Sequence, residues 1–431
     1  MSVHGNGVGD TPPRTGVDSR QAWLRLLVTV VLMTIGGGGM YAAIVVLPAV
    51  QAEFGVARAD ASLPYTLTMI GFGVGGILMG RLSDRFGVMV PALIGTACVS
   101  AGFALAGNAQ SLWTFAIAQA VLMGALGSSA TFSPLIADAS LWFERRRGIA
   151  VAICASGNYL SGTLWPPVLQ HFIDTVGWRQ TYVGAAVVCV TAMLPLALTL
   201  RGRPPGLPAA PNAPGAQAAP EHEADAKAAM PLGMRPATLQ TLLLIAGVAC
   251  CVAMAMPQVH IVAYCADLGY GPARGAEMLA LMLGCGIISR LVSGVVSDRI
   301  GGLRTLLLGS VLQGVALVLF LPSDALVSLY LVSALFGLFQ GGIVPSYAII
   351  VRDFFPAGQA GTRVALVLTA TMLGMALGGW MSGALFDLTG SYRWAFINGI
   401  GWNLLNVAIA VALLRRSGPR PGPARWITRA A

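Results

Sequence analysis

The chain has 431 residues, of which 56% are hydrophobic and only 10% charged, and it carries a formal net charge of +9. A soluble domain has about 25% charged residues, so a water-solvated surface is excluded and the solvent must be mostly lipid. The positive charge does not indicate nucleic acid, because the arginines sit in short loops between apolar runs rather than on one basic face.

Only helices and closed barrels satisfy every backbone polar group inside a bilayer. The apolar runs are long and continuous, not alternating ten-residue strands, so helices are expected. Runs of about twenty residues predict helices near 24–50, 62–81, 88–107, 111–138, 148–170, 179–200, 238–264, 275–297, 303–322, 326–350, 362–386 and 394–414. The seven cysteines all fall in apolar segments, Cys265 one residue past its run, which is neither a disulfide framework nor a metal-ligand spacing. No cofactor is implied, and no nucleophile–base pair or phosphate loop suggests an enzyme. Some twenty polar residues precede the first apolar run, which has no small-residue cleavage pattern, so a cleaved signal peptide is not expected.

With the N-terminus inside, 21 Lys and Arg residues fall on the inner side and 4 on the outer side: Arg58, Arg179, Arg274 and Arg393. This asymmetry supports an even helix count with both termini cytoplasmic. The stretch from Arg201 to Pro236 is rich in Pro and Ala and has no apolar periodicity, which predicts a flexible cytoplasmic linker. The expected divisions are a tail at 1–22, a six-helix bundle at 23–200, a linker at 201–236, a second bundle at 237–416 and a tail at 417–431.

The two halves repeat each other. "GRLSDRFG" at 80–87 answers "GVVSDRIG" at 294–301, "VARAD" at 56–60 answers "PARGA" at 272–276, and "DTVGWRQTY" at 174–182 answers "DLTGSYRWAF" at 387–396. A duplicated six-helix unit is a common plan for a secondary transporter, with the substrate held between halves that rock to expose it to each side in turn. The fold expected is an all-α membrane protein of twelve transmembrane helices in two six-helix pseudo-repeats.

On these motifs the chain resembles the major facilitator superfamily from about Trp23 to Arg416. The family's G-x-x-x-D-R-x-G signature is present as Gly80, Asp84, Arg85 and Gly87, and again as Gly294, Asp298, Arg299 and Gly301. The basic pair that usually follows the first copy is replaced by Val88 and Met89. Glycines permit close helix approach, and an Asp or Arg at a helix end can pair in one conformation and release in another. The resemblance implies a gating role for both copies.

The run "WFERRRGIAVAICASGNYLSG" at 142–162 is similar to the monocarboxylate-porter branch and the related oxalate–formate exchangers, where an aromatic and a basic cluster open a Gly/Ala-rich fifth helix. The arginine that drug–proton exchangers carry in the fourth helix is replaced by Ala120, and their G-P-x-x-G-G pattern is missing from the fifth.

Arg290 stands inside the eighth predicted helix, eight residues before Asp298, which places it about 12 Å inward. An ionisable residue at that depth is a functional candidate by default. Its counterpart in the first half is Gly76, so it belongs to something built once. A guanidinium fork can hold one carboxylate in two hydrogen bonds. The resemblance implies the same role, since monocarboxylate porters carry a substrate-binding arginine here. Two features depart from the branch. Gly286 stands where many monocarboxylate porters have an acid, and the only lysine in the chain is Lys227, so the eleventh helix lacks the lysine of oxalate exchangers. A single buried charge suits a monoanion.

His260 and Tyr264 share a helix face at i and i+4, and His260 is a candidate proton or carboxylate partner. Tyr41, Asn158, Tyr159, Gln340 and Thr371 are further candidates for the cavity lining. Gly374, Gly378, Gly379 and Gly383 form two G-x-x-x-G pairs suited to packing. The function expected is secondary active transport of a small organic anion together with a proton, by a monomer in the cytoplasmic (inner) membrane. The alternatives are export of drug-like or neutral solutes and, further off, a membrane sensor that does not transport.

Overall fold

The computed structural model describes residues 17–143, 146–202, 231–355 and 357–417. Most of the expected linker and tails, and Arg145 of the basic cluster, lie outside the described residues. All regular structure among the described residues is helical.

The long helices in chain order are α1 (Arg20–Val45), α2 (Arg58–Phe86), α3 (Met89–Gly107), α4 (Leu112–Trp142), α5 (Arg147–Val176), α6 (Trp178–Thr199), α7 (Pro236–Asp267), α8 (Pro272–Ile300), α9 (Gly302–Phe320), α10 (Leu326–Phe354), α11 (Thr362–Thr389) and α12 (Tyr392–Arg416). Eleven of these are long and apolar enough to cross a membrane. Helix α5 stands apart from the eleven although it has 30 residues. Its middle carries Ser156, Asn158, Tyr159, Ser161 and Thr163, which dilute its hydropathy.

Two large apolar cores form, with a small third cluster of Leu47, Ala61 and Ala263 between the halves. One is built from the first half alone, around Phe103, Phe115, Trp178 and Tyr182. The other is built mainly from the second half and takes in Tyr41, Tyr65, Met69 and Tyr159 from the first. Outward faces are apolar as well: Ile288, Leu291, Val292 and Val295 of α8 are all exposed, as lipid-facing residues are.

Glycine sets how closely the helices approach. A Cβ at Gly71 or Gly75 of α2 would overlap the backbone of α4 at Ala120 or Ala125. Over Ala118–Ser128 that part of α4 is wound as a π-helix, which ends in a turn before Ser133. Gly374 and Gly378 of α11 lie against Val248 and Val252 of α7, within the second half. Gly379 and Gly383 face the other way, toward Tyr65, Arg58 and Ala59 of α2. The two G-x-x-x-G pairs therefore serve two different interfaces, and the second one joins the halves.

That junction runs only part of the way along the bundle. From the end opposite the termini, α11 meets α2 at Gly383, Gly379 and Ala376, and at Gly73 there is room for a Cβ in ordinary contact with Met372. Likewise α8 meets α5 at Gly284 and Gly286 and last at Arg290. Beyond these levels Gly80 and Gly294 have open space around them. The halves are closed at the Arg58 end and splayed at the end that carries the termini.

Candidate functional site

Arg290 sits where α5 and α8 separate. On one side α8 is fixed by α10, whose Gly337 and Gly341 lie directly on the backbone of Met282 and Gly286, while Gly342 lies on the Ser293 side chain. On the other side α8 meets α5, where Thr163 fits against Gly284 and the Tyr159 ring against Gly286. The guanidinium stands over the face of that ring, 4.3 Å from its centroid. Such a cation–π contact is worth about 0.5–2 kcal/mol depending on desolvation.

The hydrogen bonding of Arg290 is sparse. Its Nη1 donates to the Ala155 carbonyl at 3.4 Å, and its Nε is buried without a partner. No carboxylate among the described residues pairs with it. Asp138, the acid buried in α4, is taken by Arg25, which donates Nε to Oδ2 at 2.8 Å and Nη2 to Oδ1 at 3.1 Å. Tyr41 completes the group, since its ring lies against Gly162 of α5. Neither the Tyr41 nor the Tyr159 hydroxyl has a hydrogen bond among the described residues. The place therefore offers a partly satisfied cation and two phenols, a donor set suited to one small anion.

Gly286 now has a physical reason. A Cβ there would overlap the Tyr159 ring, so the volume that an acidic residue would need is filled by tyrosine. Gly286→Ala is expected to push Tyr159 off the guanidinium and to weaken anion binding by about tenfold, roughly the energy of one such contact. Substrate affinity measured for the purified variant checks this.

The other candidates lie elsewhere. Asn158 is half-buried on α5 and has no hydrogen bond among the described residues. Gln340 is fully buried and accepts from Gln258 at 2.7 Å. Thr371 is buried and donates to its own helix at Leu368. Tyr264 donates to Asp324 at 3.0 Å. His260 is fully buried at the closed end, between the Gly379 carbonyl at 2.7 Å and the Tyr392 hydroxyl at 3.0 Å. Thus Arg290, Tyr159 and Tyr41 come together, whereas His260 and Tyr264 join a second group.

That second group centres on Arg58. Its guanidinium donates to both oxygens of Asp267, at 3.0 and 3.1 Å, and to the Tyr392 hydroxyl at 2.7 Å. It also stands 4.6 Å from the Phe386 ring centroid. The backbone amides of Arg58 and Ala59 donate to the two oxygens of Asp387, at 2.8 and 2.7 Å. Every one of these partners belongs to the other half of the chain.

In the sequence Arg58 and Arg393 read only as outer-side charges. The repeat held a stronger signal. Glu53 and Asp267 are equivalent at an offset of 214 residues, and so are Arg179 and Arg393. Glu53 stays within its own half, bonded by Trp178 and by Arg179 at 2.7 Å. Burial alone would raise the Glu53 carboxyl, but these hydrogen bonds outweigh it and hold it below its ordinary value. Asp267 instead crosses to Arg58, and Arg393 has no carboxylate partner among the described residues. Arg274, the repeat equivalent of Arg58, is half-exposed and pairs only with Glu277 on its own helix.

Both copies of the G-x-x-x-D-R-x-G motif lie at the splayed end. Asp84, Arg85, Asp298 and Arg299 are exposed and form no ion pair among the described residues. Close approach through the motif's glycines does not occur in this arrangement, since nothing stands near Gly80 or Gly294. Gly87 and Gly301 do something different. Each ends a helix at a φ of 81° or 87°, in the region where glycine carries no Cβ penalty.

Comparison with known proteins agrees with this architecture. The Major Facilitator Superfamily profile matches residues 28–293 and 243–428. An MFS-type transporter of Aspergillus niger, pynF, is 23% identical over 346 residues, covering 79% of this chain and 76% of its own length. Monocarboxylate transporter 13 of Bos taurus is 28% identical over 346 residues, covering 78% and 75%. A crystal structure of a bacterial homolog of the human lysosomal transporter Spinster, inward-facing and occupied, has the same fold. Its TM-score is 0.66 at 14% identity, covering 92% of this chain and 95% of that one. With a helical bundle built for lipid, a repeated signature and a family match over most of its length, this multi-pass membrane chain belongs to the Major Facilitator Superfamily, whose members carry small solutes across membranes rather than transform them.

Proposed function

We propose that this transporter carries a small organic monocarboxylate, held by Arg290 and moved together with a proton. The observation that carries the reading is the state of Arg290: a cation between the halves, stacked on Tyr159, with a buried Nε that lacks a partner. A carboxylate would supply the missing acceptor, with the phenols of Tyr41 and Tyr159 as further donors. The relatives named as monocarboxylate transporters support the same substrate class.

In this reading the units are the bundles 23–200 and 237–416, joined by the linker 201–236 and flanked by tails at 1–22 and 417–431. The positive-inside distribution supports cytoplasmic termini, and in this reading the membrane is an inner membrane, the splayed end faces inward and the Arg58 end is the closed outer gate. The carrier works as a monomer, alternating between this state and one open at the Arg58 end. The two motif copies, at Gly80–Gly87 and Gly294–Gly301, then engage when the inner end closes.

The test is uptake of labelled monocarboxylates into proteoliposomes, with and without an inward proton gradient, for the parent and for Arg290→Gln. Saturable uptake that the gradient enhances and the substitution removes is the expected result. Uptake of neutral solutes alone, or no carboxylate uptake by folded protein, overturns the substrate assignment.

A further inference from the structure

We infer that His260 is a pH-sensitive latch on the Arg58 end, which closes only on the neutral ring. The inference goes beyond the substrate reading above, because a proton that must leave before this end closes is not the one moved with the substrate; it rests on that reading only for which end faces outward. Its structural basis is a chain of hydrogen bonds whose polarity is fixed at both ends.

At one end the Gly379 carbonyl can only accept, so His260 must carry its proton on Nε2. At the other end the Arg58 guanidinium can only donate, so the Tyr392 oxygen accepts from it. The Tyr392 hydroxyl proton is then free to go to His260 Nδ1, the remaining acceptor, at 3.0 Å. The relay runs Arg58 to Tyr392 to His260 to Gly379, and it joins α2 of one half to α7, α11 and α12 of the other. It is complete with a neutral imidazole and with no other form.

Protonation at Nδ1 breaks it. The ring would then present N–H to Tyr392, whose oxygen already faces the Arg58 donor, and the hydroxyl proton would lose its acceptor. It would also bury a second positive charge in the group that holds Arg58. The ring has no exposure through which water could relieve this.

The charged and titratable groups around the ring are Arg58 from α2, Tyr264 and Asp267 from α7, Asp387 from α11, and Tyr392 and Arg393 from α12; Asp324 is held by Tyr264. Asp267 and Asp387 are committed to Arg58 and to the first amides of α2, so neither is paired to the imidazole. A proton therefore binds when the halves part at this end and leaves before they close again. The repeat supplies the opened pairing for Asp267. Its equivalent, Glu53, is held by Arg179, so a released Asp267 has Arg393 within its own half.

The experiment is a distance measurement in the full chain reconstituted in bilayers. Spin labels are placed at Gln110 and Ala273, both exposed at the Arg58 end but in opposite halves. Cys98 and Cys285 are replaced by serine, since the other five cysteines are buried. As the pH falls from 8 to 5.5, the parent is expected to shift at least about fivefold toward the longer distance, the lower end of a typical coupling between sites. His260→Gln still has a donor for Gly379 and an acceptor for Tyr392, and it should hold the short distance at both pH values. Tyr392→Phe keeps the imidazole but removes the relay, and should show a weakened response to pH. An unchanged response in His260→Gln, or none in the parent, overturns the inference; if that variant does not fold, a full response in Tyr392→Phe does so. Counterflow of a labelled carboxylate in the same preparations keeps the two readings apart. Lost counterflow with an intact distance response defeats only the substrate assignment, and intact counterflow with no distance response defeats only the latch.

Discussion

Arg290→Gln is expected to weaken carboxylate binding by about 10- to 150-fold. A hydrogen bond to a charged group contributes about 1.5–3 kcal/mol, and each 1.4 kcal/mol is a factor of about ten. The glutamine amide keeps a donor but loses the charge and the fork. Arg290→Lys should fall between the two, because a point charge remains while the bidentate geometry and the stacking on Tyr159 do not. The concentration dependence of uptake separates the three proteins. Equal half-saturation in all of them would remove Arg290 from the site. The substitution should leave folding intact, since the guanidinium makes one long hydrogen bond and one ring contact in this state.

The second large effect is expected at Asp267. The Arg58 side chain is 9% exposed and its partner Asp267 is 34% exposed. Breaking a fully buried pair costs about 3–5 kcal/mol. The exposure of Asp267 screens part of that, leaving about 2–3 kcal/mol. Asp267→Asn should therefore favour opening at the Arg58 end by about 30- to 150-fold. The readout is modification of a cysteine introduced at Thr66, whose hydroxyl donates to the Ala376 carbonyl across the junction. The thiol should react with an impermeant reagent much faster in the Asp267→Asn background. Arg274→Gln is the control. It removes the repeat equivalent of Arg58, but only an exposed, solvent-screened i, i+3 pair, so reactivity should not change. Equal rates in all three backgrounds would show that the ion pair does not hold this end.

The parts of this molecule that are legible in the sequence are those that local pattern encodes. Apolar run length locates every long helix, because lipid imposes length and hydropathy on each span separately. The helices run past the apolar runs, as at Arg58–Phe86 against an expected 62–81, because polar turns at the membrane surface remain helical. Arg290 is legible because a charge inside such a run is costly and persists where function uses it. The fit of Tyr159 into the space at Gly286 is not, since it depends on how α5 crosses α8. Nor is the setting of His260. Its position on a helix face suggests a ligand, yet its partners come from residues 379 and 392, and no periodicity in α7 points to them. The π-winding of α4 leaves no mark in hydropathy either. The repeat holds more than its arginines show. Aligning the acids Glu53 and Asp267 as well sets side by side a half that keeps its pair and a half that lends it.

The hydrogen bonds from Arg58 and Ala59 to Asp387 carry a consequence of another kind. Helix α2 begins after Ala57, which has no side chain able to accept from its first amides. The acceptor is Asp387, supplied by the other half. Helix capping is worth about 1 kcal/mol, and here that stabilisation exists only while the halves are together. Each opening of this end therefore exposes the first turn of α2 to fraying. Amide hydrogen exchange at Arg58 and Ala59 should follow the frequency of the transport cycle rather than the breathing of the helix, so the protein's turnover would be written in the exchange rate of two backbone protons.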